Sequence, residues 1–212
     1  INTEKFSPNK IKRDDRPTIA CVARIDVFKD IVCLIQAIKY VREQIPNIQC
    51  LIYGSSTDLE YSLRVLNLVK MLHLEDSVKF MGNTNTPQDA YNSADVIALS
   101  SITEGFPYAV IEAMACGKAT VASEVGGVAE ALDGCGILVR SRRPQDLGEG
   151  LVKLLKDEKL RKEFESSSRK KVLANFTIEK SINQFREKYA SLIRQNGMKK
   201  QKVQLIQKWV SK

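Results

Sequence analysis

The sequence predicts a doubly wound α/β fold on a parallel sheet of about six strands. Two observations carry this. Apolar runs of four to six residues alternate with segments of helical period along the chain. Those runs are apolar throughout rather than in alternate positions, the pattern of strands covered on both faces.

Thr18 to Ala23 (TIACVA) is the first expected strand. A helix is expected from Phe28 to Gln44, with Ile31, Leu34, Ile35, Ile38 and Val41 on one face, and Pro46-Asn47 breaks it. Ile48 to Tyr53 forms a second strand, closed by Gly54, and Asp58 to His73 a second amphipathic helix. Val78 to Met81 is a short strand followed by Gly82-Asn83-Thr84, then a short helix from Pro87 to Asn92. Val96 to Leu99, Ala119 to Ala122 and Gly136 to Val139 supply the remaining strands. Tyr108 to Cys116 is an apolar helix and Val128 to Leu132 a helical turn. Pro144 to Lys156, Glu158 to Ala174 and Ile178 to Arg194 are helices. This alternation is that of a doubly wound sheet. No internal repeat, Walker A motif or G-x-G-x-x-G is present.

The chain has 212 residues, 43% of them hydrophobic, enough for one well-filled core. It starts at Ile1, which points to a piece of a longer protein. No apolar run reaches the roughly 20 residues of a spanning helix, and no signal-peptide pattern opens the sequence. Cys21, Cys33, Cys50, Cys116 and Cys135 are odd in number and lack metal-ligand spacing, and His73 is the lone histidine. The cysteines read as small buried hydrophobes in a reducing, cytoplasmic setting, and no zinc site is expected. His73 reads as a solvated helix end, and Arg140, Arg142 and Arg143 as a solvated loop.

The formal net charge is +8, but Lys199, Lys200, Lys202, Lys208 and Lys212 supply +5 of it within a tail free of acids. A basic charge balance is the main reason to expect a nucleic-acid partner. Here most of it sits at one end, and nucleic acid is not expected to bind. A basic α/β nucleic-acid-binding module remains the alternative from a different class. It predicts binding that falls steeply with salt and is lost with the tail.

Ser100 to Cys116 (SSITEGFPYAVIEAMAC) runs from the carboxyl end of a strand into a helix, the edge at which open α/β sheets bind ligands. Pro107 fits the first helical position, and Gly105 permits close backbone approach. The helix start favours an anion such as a phosphate. Glu112 lies between Ile111 and Ala113, where a carboxylate is costly to bury without partners. A buried salt bridge or the vicinal hydroxyls of a ribose would each satisfy it. Glu104, eight positions earlier, is either a cap or solvated loop residue, or a contact to a second sugar or to phosphates.

Arg24 follows the first strand and Lys29 is expected to open the next helix, at the same sheet edge. They are either a surface pair or a cradle for a diphosphate, with Arg suited to bidentate oxygen contacts and Lys to a point charge. Asp30 could pair with Lys29 and weaken it. Gly54 is a strand-to-helix turn glycine or a place where a side chain would crowd a phosphate or sugar.

Glu104-Gly-Phe-Pro…Glu112 resembles the E-x7-E motif of glycosyltransferase family 4, the retaining transferases with the GT-B fold of two facing Rossmann-like domains. The flanking strings E-A-M-A-C-G-K-A-T-V-A-S and E-V-G-G-V-A-E-A-L resemble it too, and the likeness covers about residues 1 to 195. It implies that Glu112 binds the nucleotide ribose and Glu104 the transferred sugar. Gly105, Phe106 and Pro107 would line the sugar and phosphate pocket, with Gly126 and Gly127 on its far side. Glu130 follows in the family's G-G-x-x-E arrangement and is equally an ordinary helix-start acid. Arg24 and Lys29 would meet the leaving diphosphate, although Ala23 and Asp30 stand where glycines are common. Gly82 and Asn83 would approach the nucleobase through backbone groups. No Asp-x-Asp metal motif lies in a suitable loop, and Asp14-Asp15 falls in the linker. The implied enzyme is metal-independent, without a cofactor, and takes a nucleotide diphosphate sugar, UDP-linked for preference, as donor. A GT-B sugar-nucleotide epimerase is the nearest enzymatic alternative.

The resemblance also sets the organisation: residues 1–16 as the remnant of an interdomain hinge, 17–175 as the donor-binding domain, 176–196 as a C-terminal crossover helix and 197–212 as a basic tail. Ile1 to Pro8 resembles the family hinge, which implies a missing N-terminal acceptor domain. Phe176 to Arg194 resembles the crossover helix without its tryptophan. Val203, Ile206, Trp209 and Val210 share one face of the tail. It is either a disordered or partner-docked end, or a helix lying on an anionic membrane at the inner face.

Overall fold

The computed structural model describes residues 1–11 and 15–195. Asp14 and the basic tail of 197–212 lie outside the described residues.

The parallel sheet contains six strands: β1 Thr18–Val22, β2 Gln49–Tyr53, β3 Val78–Gly82, β4 Val96–Leu99, β5 Ala119–Ser123 and β6 Ile137–Val139. Their spatial order is β3-β2-β1-β4-β5-β6. The expected α/β fold is therefore present, and its order reverses between β1 and β4. Ile19 pairs with Cys50 on one side and Val96 on the other, so β1 is central. Four of its five residues, Thr18 to Cys21, are buried.

Apolar strands of this kind leave both faces needing cover. Helices α1 (Ile31–Gln44), α2 (Leu59–Met71) and α6 (Pro144–Lys156) cover one face, and one core gathers Ile19, Cys21, Leu34, Ile38, Ile52, Val65 and Leu151. Helices α3 (Pro87–Asn92), α4 (Tyr108–Ala115), α5 (Val128–Leu132) and α7 (Glu158–Asn175) serve the other, with Ala20, Tyr91, Ile97, Val110, Met114, Leu132 and Val172 in its core. Ile19 and Ala20 thus point to opposite faces, as the strand period requires. Each fully buried Ile or Leu contributes about 1.5–3 kcal/mol.

Helix α8 (Ile178–Gln195) follows. Its Ile178, Ile182, Phe185, Tyr189 and Leu192 are exposed at helical spacing, an apolar face without cover from the described residues. Beside its start, the Ile178 amide donates to the Ile1 carbonyl at 3.2 Å. Arg169 of α7 donates to the carbonyls of Thr3, Phe6 and Ala115. These bonds fasten the opening segment along the second face.

Two expected boundaries move for local reasons. Helix α1 begins at Ile31 rather than Phe28. The Asp26 carboxylate accepts the amides of Phe28 and Lys29, both at 3.0 Å. Asp30 takes the left-handed conformation at φ 45° and caps the Cys33 amide at 3.2 Å. Such side-chain bonds compete with the helix and hold 26–30 as a turn. Lys29 therefore precedes the helix instead of opening it. Pro107 precedes α4 rather than forming its first residue, because its ψ of 87° is not helical.

Candidate functional site

The carboxyl ends of β1 and β4 flank the point where strand order reverses, which is where open α/β sheets leave a crevice for ligands. The loop after β1 carries Arg24 and Lys29. That after β2 carries Gly54, and that after β3 follows Gly82 with Asn83. Those after β4 and β5 hold Glu104–Pro107 and Gly126-Gly127. The parallel sheet thus gathers every one of these candidates at a single edge. Glu112 lies in the second turn of α4, which leaves the same edge.

Lys29 does not pair with Asp30. Its Nζ meets Glu104 Oε1 at 2.6 Å, with 19% and 10% of the two side chains exposed. The same carboxylate oxygen accepts the Ser101 hydroxyl at 2.6 Å. The Ser100 hydroxyl donates to the Lys29 carbonyl at 2.7 Å, and the Ile102 amide to the Phe28 carbonyl at 2.8 Å. Ser100 and Ser101 are both buried. The β1 and β4 loops are therefore stitched into one unit across the crevice, residues 29 and 104 meeting because β1 and β4 are neighbours. Asp30, half-buried, has its carboxyl raised above the ordinary value by burial, against the Cys33 amide bond and the charges of Arg142 and Arg64.

Arg24 stands in solvent with its side chain 74% exposed and pairs with Asp26 at 3.0 Å. The Asp26 carboxylate thus serves both cations: it pairs with Arg24 and its Oδ1 fixes the turn that presents Lys29. Sequence reasoning missed Asp26, although an Asp two residues before a pair of amides is a turn-forming signal.

The glycines divide into two kinds. Gly126 has φ 51°, and a Cβ there would stand 1.7 Å from the Glu104 carbonyl oxygen. The Gly127 amide donates to the Gly105 carbonyl at 2.9 Å, and a Cβ there would fall 2.8 Å from that same oxygen. The β5 loop therefore packs directly on the 104–106 backbone. A Cβ at Gly54 would lie 1.9 Å from the Ala23 carbonyl oxygen, so this glycine lets β2 end against β1. Gly105 is exposed and a Cβ there would meet nothing within 4 Å. Gly82 and Asn83 are exposed too, and the Gly54 amide donates to the Gly82 carbonyl at 2.8 Å. Phe106 is 40% exposed and sits edge-on to Phe176, with ring centroids 5.7 Å apart. Pro107 is buried.

Glu112 is half-buried, and its Oε2 accepts the Tyr91 hydroxyl at 2.8 Å. Among the described residues no salt bridge holds it, and it is not fully buried. Burial raises its carboxyl above the usual range, while the Tyr91 bond and the charges of Lys5 and the Ile1 amino group pull it down. Tyr91 was not singled out from the sequence, although a carboxylate in an apolar helix calls for a donor. Glu130 is exposed.

Among the described residues no group of three or more His, Cys, Asp or Glu side chains is placed to hold a metal ion. No helix there is long and apolar enough to cross a membrane. Arg140 pairs with Asp146 at 2.7 Å and is 69% exposed, as expected of a solvated loop.

An open 3-2-1-4-5-6 parallel sheet with cations and carboxylates on its switch-point loops defines a Rossmann-like domain. The chain belongs to the family described as glycosyl transferases group 1, whose model matches residues 2–171. It is 32% identical over 132 residues to the N-acetyl-alpha-D-glucosaminyl L-malate synthase of Bacillus anthracis, a match covering 61% of this chain and 35% of that protein. The C-terminal domain of a group 1 glycosyl transferase (LpcC) from Francisella tularensis superposes with a TM-score of 0.77 at 25% identity, covering 84% of this chain and 99% of that one. The HepE structure from Anabaena in complex with UDP superposes with a TM-score of 0.82 at 21% identity, covering 90% and 56%. These neighbours come from glycosyltransferases of the GT-B type. The chain spans 35%, 42% and 50% of the length of three curated relatives.

Proposed function

We propose that this chain is the nucleotide-sugar-binding half of a retaining glycosyltransferase of family 4. It would move a hexose from a nucleotide diphosphate sugar, UDP-linked for preference, to a hydroxyl acceptor in polysaccharide or glycolipid synthesis. The observation that carries this reading is the Lys29–Glu104 contact across the switch point, with Arg24 exposed beside it. Two cations on one loop suit a diphosphate whose negative charge grows as the sugar leaves, and charge stabilisation of that kind is often the largest catalytic contribution. Glu104 occupies the sugar side and Glu112 the ribose side. The HepE complex with UDP supports a uridine nucleotide.

Lys29 is neutralised by Glu104. An arriving diphosphate competes for Lys29, and the freed Glu104 oxygen becomes an acceptor for a sugar hydroxyl while Ser101 keeps the carboxylate in place. Binding and exposure of the sugar-directed carboxylate are thereby coupled. No described side chain at this edge stands out as a general base, and the leaving phosphate would take the acceptor's proton. Arg24 and Lys29 would supply the positive charge without a divalent cation.

The Francisella domain, matched along 99% of its length, supports placing this chain in the C-terminal half. Residues 1–16 would then lead from an N-terminal acceptor domain, and α8 would cross back to it with the uncovered apolar face. Closure of the two halves excludes water and places the acceptor, so the chain alone binds donor and transfers nothing. Tail residues 197–212 would add contact with the inner face of an anionic membrane, from a cytoplasmic location. The test is diphosphate binding by Lys29→Met: a loss of at least tenfold against unchanged melting supports the reading, and wild-type affinity overturns it.

A further inference from the structure

We infer that Tyr91 is a positioning residue for nucleotide recognition: its buried hydroxyl fixes the Glu112 carboxylate and leaves the second carboxylate oxygen for the ribose hydroxyls. This rests on the ribose role proposed for Glu112. Tyr91 is 0% exposed and among the largest fully buried side chains. It lies in the last turn of α3, its ring 6.3 Å from that of Phe6, within the core that also holds Val110, Ile111 and Met114 of α4. Packing on all sides removes its rotamer freedom, so its hydroxyl has one place to donate, Glu112 Oε2 at 2.8 Å.

A free glutamate side chain samples several rotamers, and ordering a rotamer-rich side chain on binding weakens affinity. Tyr91 does that ordering through its bond to Glu112 Oε2. It also favours the ionised carboxylate, because its bond opposes the effect of burial on Glu112. Burial and the neighbouring carboxylate hold the Tyr91 phenol well above its ordinary range, so it remains a donor at every physiological pH. The α3 helix, which bears no motif residue, thereby acts on the nucleotide through α4.

The experiment measures the affinities of the chain for UDP and 2′-deoxy-UDP, in wild type, Glu112→Gln and Tyr91→Phe. One charge-assisted hydrogen bond to a ribose hydroxyl predicts about a tenfold preference for UDP in wild type. Glu112→Gln should erase that preference. Tyr91→Phe should cut it to about threefold or less with 2′-deoxy-UDP affinity unchanged, which a merely structural role would not produce. A full preference retained by Tyr91→Phe but lost by Glu112→Gln overturns the inference and leaves the ribose role standing. A preference retained by Glu112→Gln overturns both. A measurement on wild type needs no stable variant: with 13Cζ-labelled tyrosine, the Tyr91 resonance should move on adding UDP and much less on adding 2′-deoxy-UDP. Equal or absent movement with the two ligands overturns the inference.

Discussion

Gly105 and Gly126 lie on two loops that touch, yet alanine should act on them in opposite ways. At Gly126 the backbone is left-handed, φ 51°, and the new Cβ would sit 1.7 Å from the Glu104 carbonyl oxygen. The left-handed conformation alone costs a non-glycine residue about 1–2 kcal/mol. The collision is with backbone, which no rotamer relieves, and shifting it adds about 1–3 kcal/mol. A loss of about 3 kcal/mol lowers the melting temperature by roughly 6–12 °C at this chain length. Gly105 has no positive φ and open space around its missing Cβ, so Gly105→Ala should stay within about 0.5 kcal/mol of wild type. If a phosphate or sugar packs against that backbone, the same methyl group should cut UDP affinity at least tenfold. Thermal melting and calorimetric titration of the two variants read both effects. Gly105→Ala binding UDP like wild type, or Gly126→Ala melting like wild type, would refute the reasoning.

Other consequences follow from the same geometry. Asp26→Ala removes the partner of Arg24 and the acceptor of the Lys29 amide. Diphosphate affinity should fall about three- to tenfold while the far-ultraviolet spectrum stays unchanged, and equal affinity would refute it. Glu112 has its folded pKa raised above the ordinary 4.5, so the folded state holds the proton more tightly than the unfolded one. That contribution to stability is present below pH 4.5 and lost as pH rises through the folded value. Glu112→Gln should therefore melt no lower than wild type at pH 7, and its relative advantage should shrink on acidification. Burial pushes the Cys21, Cys33 and Cys116 thiols up to about 12. A thiol reagent at pH 8 should leave these three unmodified in the folded chain and modify them in denaturant.

Strand and helix identities were legible because both faces of the sheet are covered, which writes β1, β2 and β4 as largely apolar, buried runs, whereas the edge strand β3 carries the exposed Lys79. Val128–Leu132 and Pro144–Lys156 form with the bounds their sequences predict. What the pattern could not show was set by side chains acting over distance. Phe28 to Asp30 continue the helical period of α1, but Asp26 and Asp30 spend their carboxylates on the turn. Lys29 has an acid as its chain neighbour and pairs instead with one 75 residues away, because strand order, not sequence distance, decides who is adjacent. Tyr91 and Glu112 lie 21 residues apart on separate helices, and their bond follows from the packing of α3 on α4. From the sequence, Gly54 reads as a turn glycine or as making room for a phosphate or sugar, and Gly126 as part of a loop beside the pocket. In the structure each makes room for a neighbouring carbonyl, a requirement set by a residue distant in sequence.

The central claim is that the switch-point edge binds a nucleoside diphosphate with Glu112 on its ribose. The most direct measurement is calorimetric titration of the chain with UDP, GDP, ADP and CMP, repeated on Glu112→Ala. The account predicts selective binding of one diphosphate, UDP for preference, lost in the variant. Binding that is equal in wild type and Glu112→Ala, or no diphosphate binding at millimolar concentration, would contradict it.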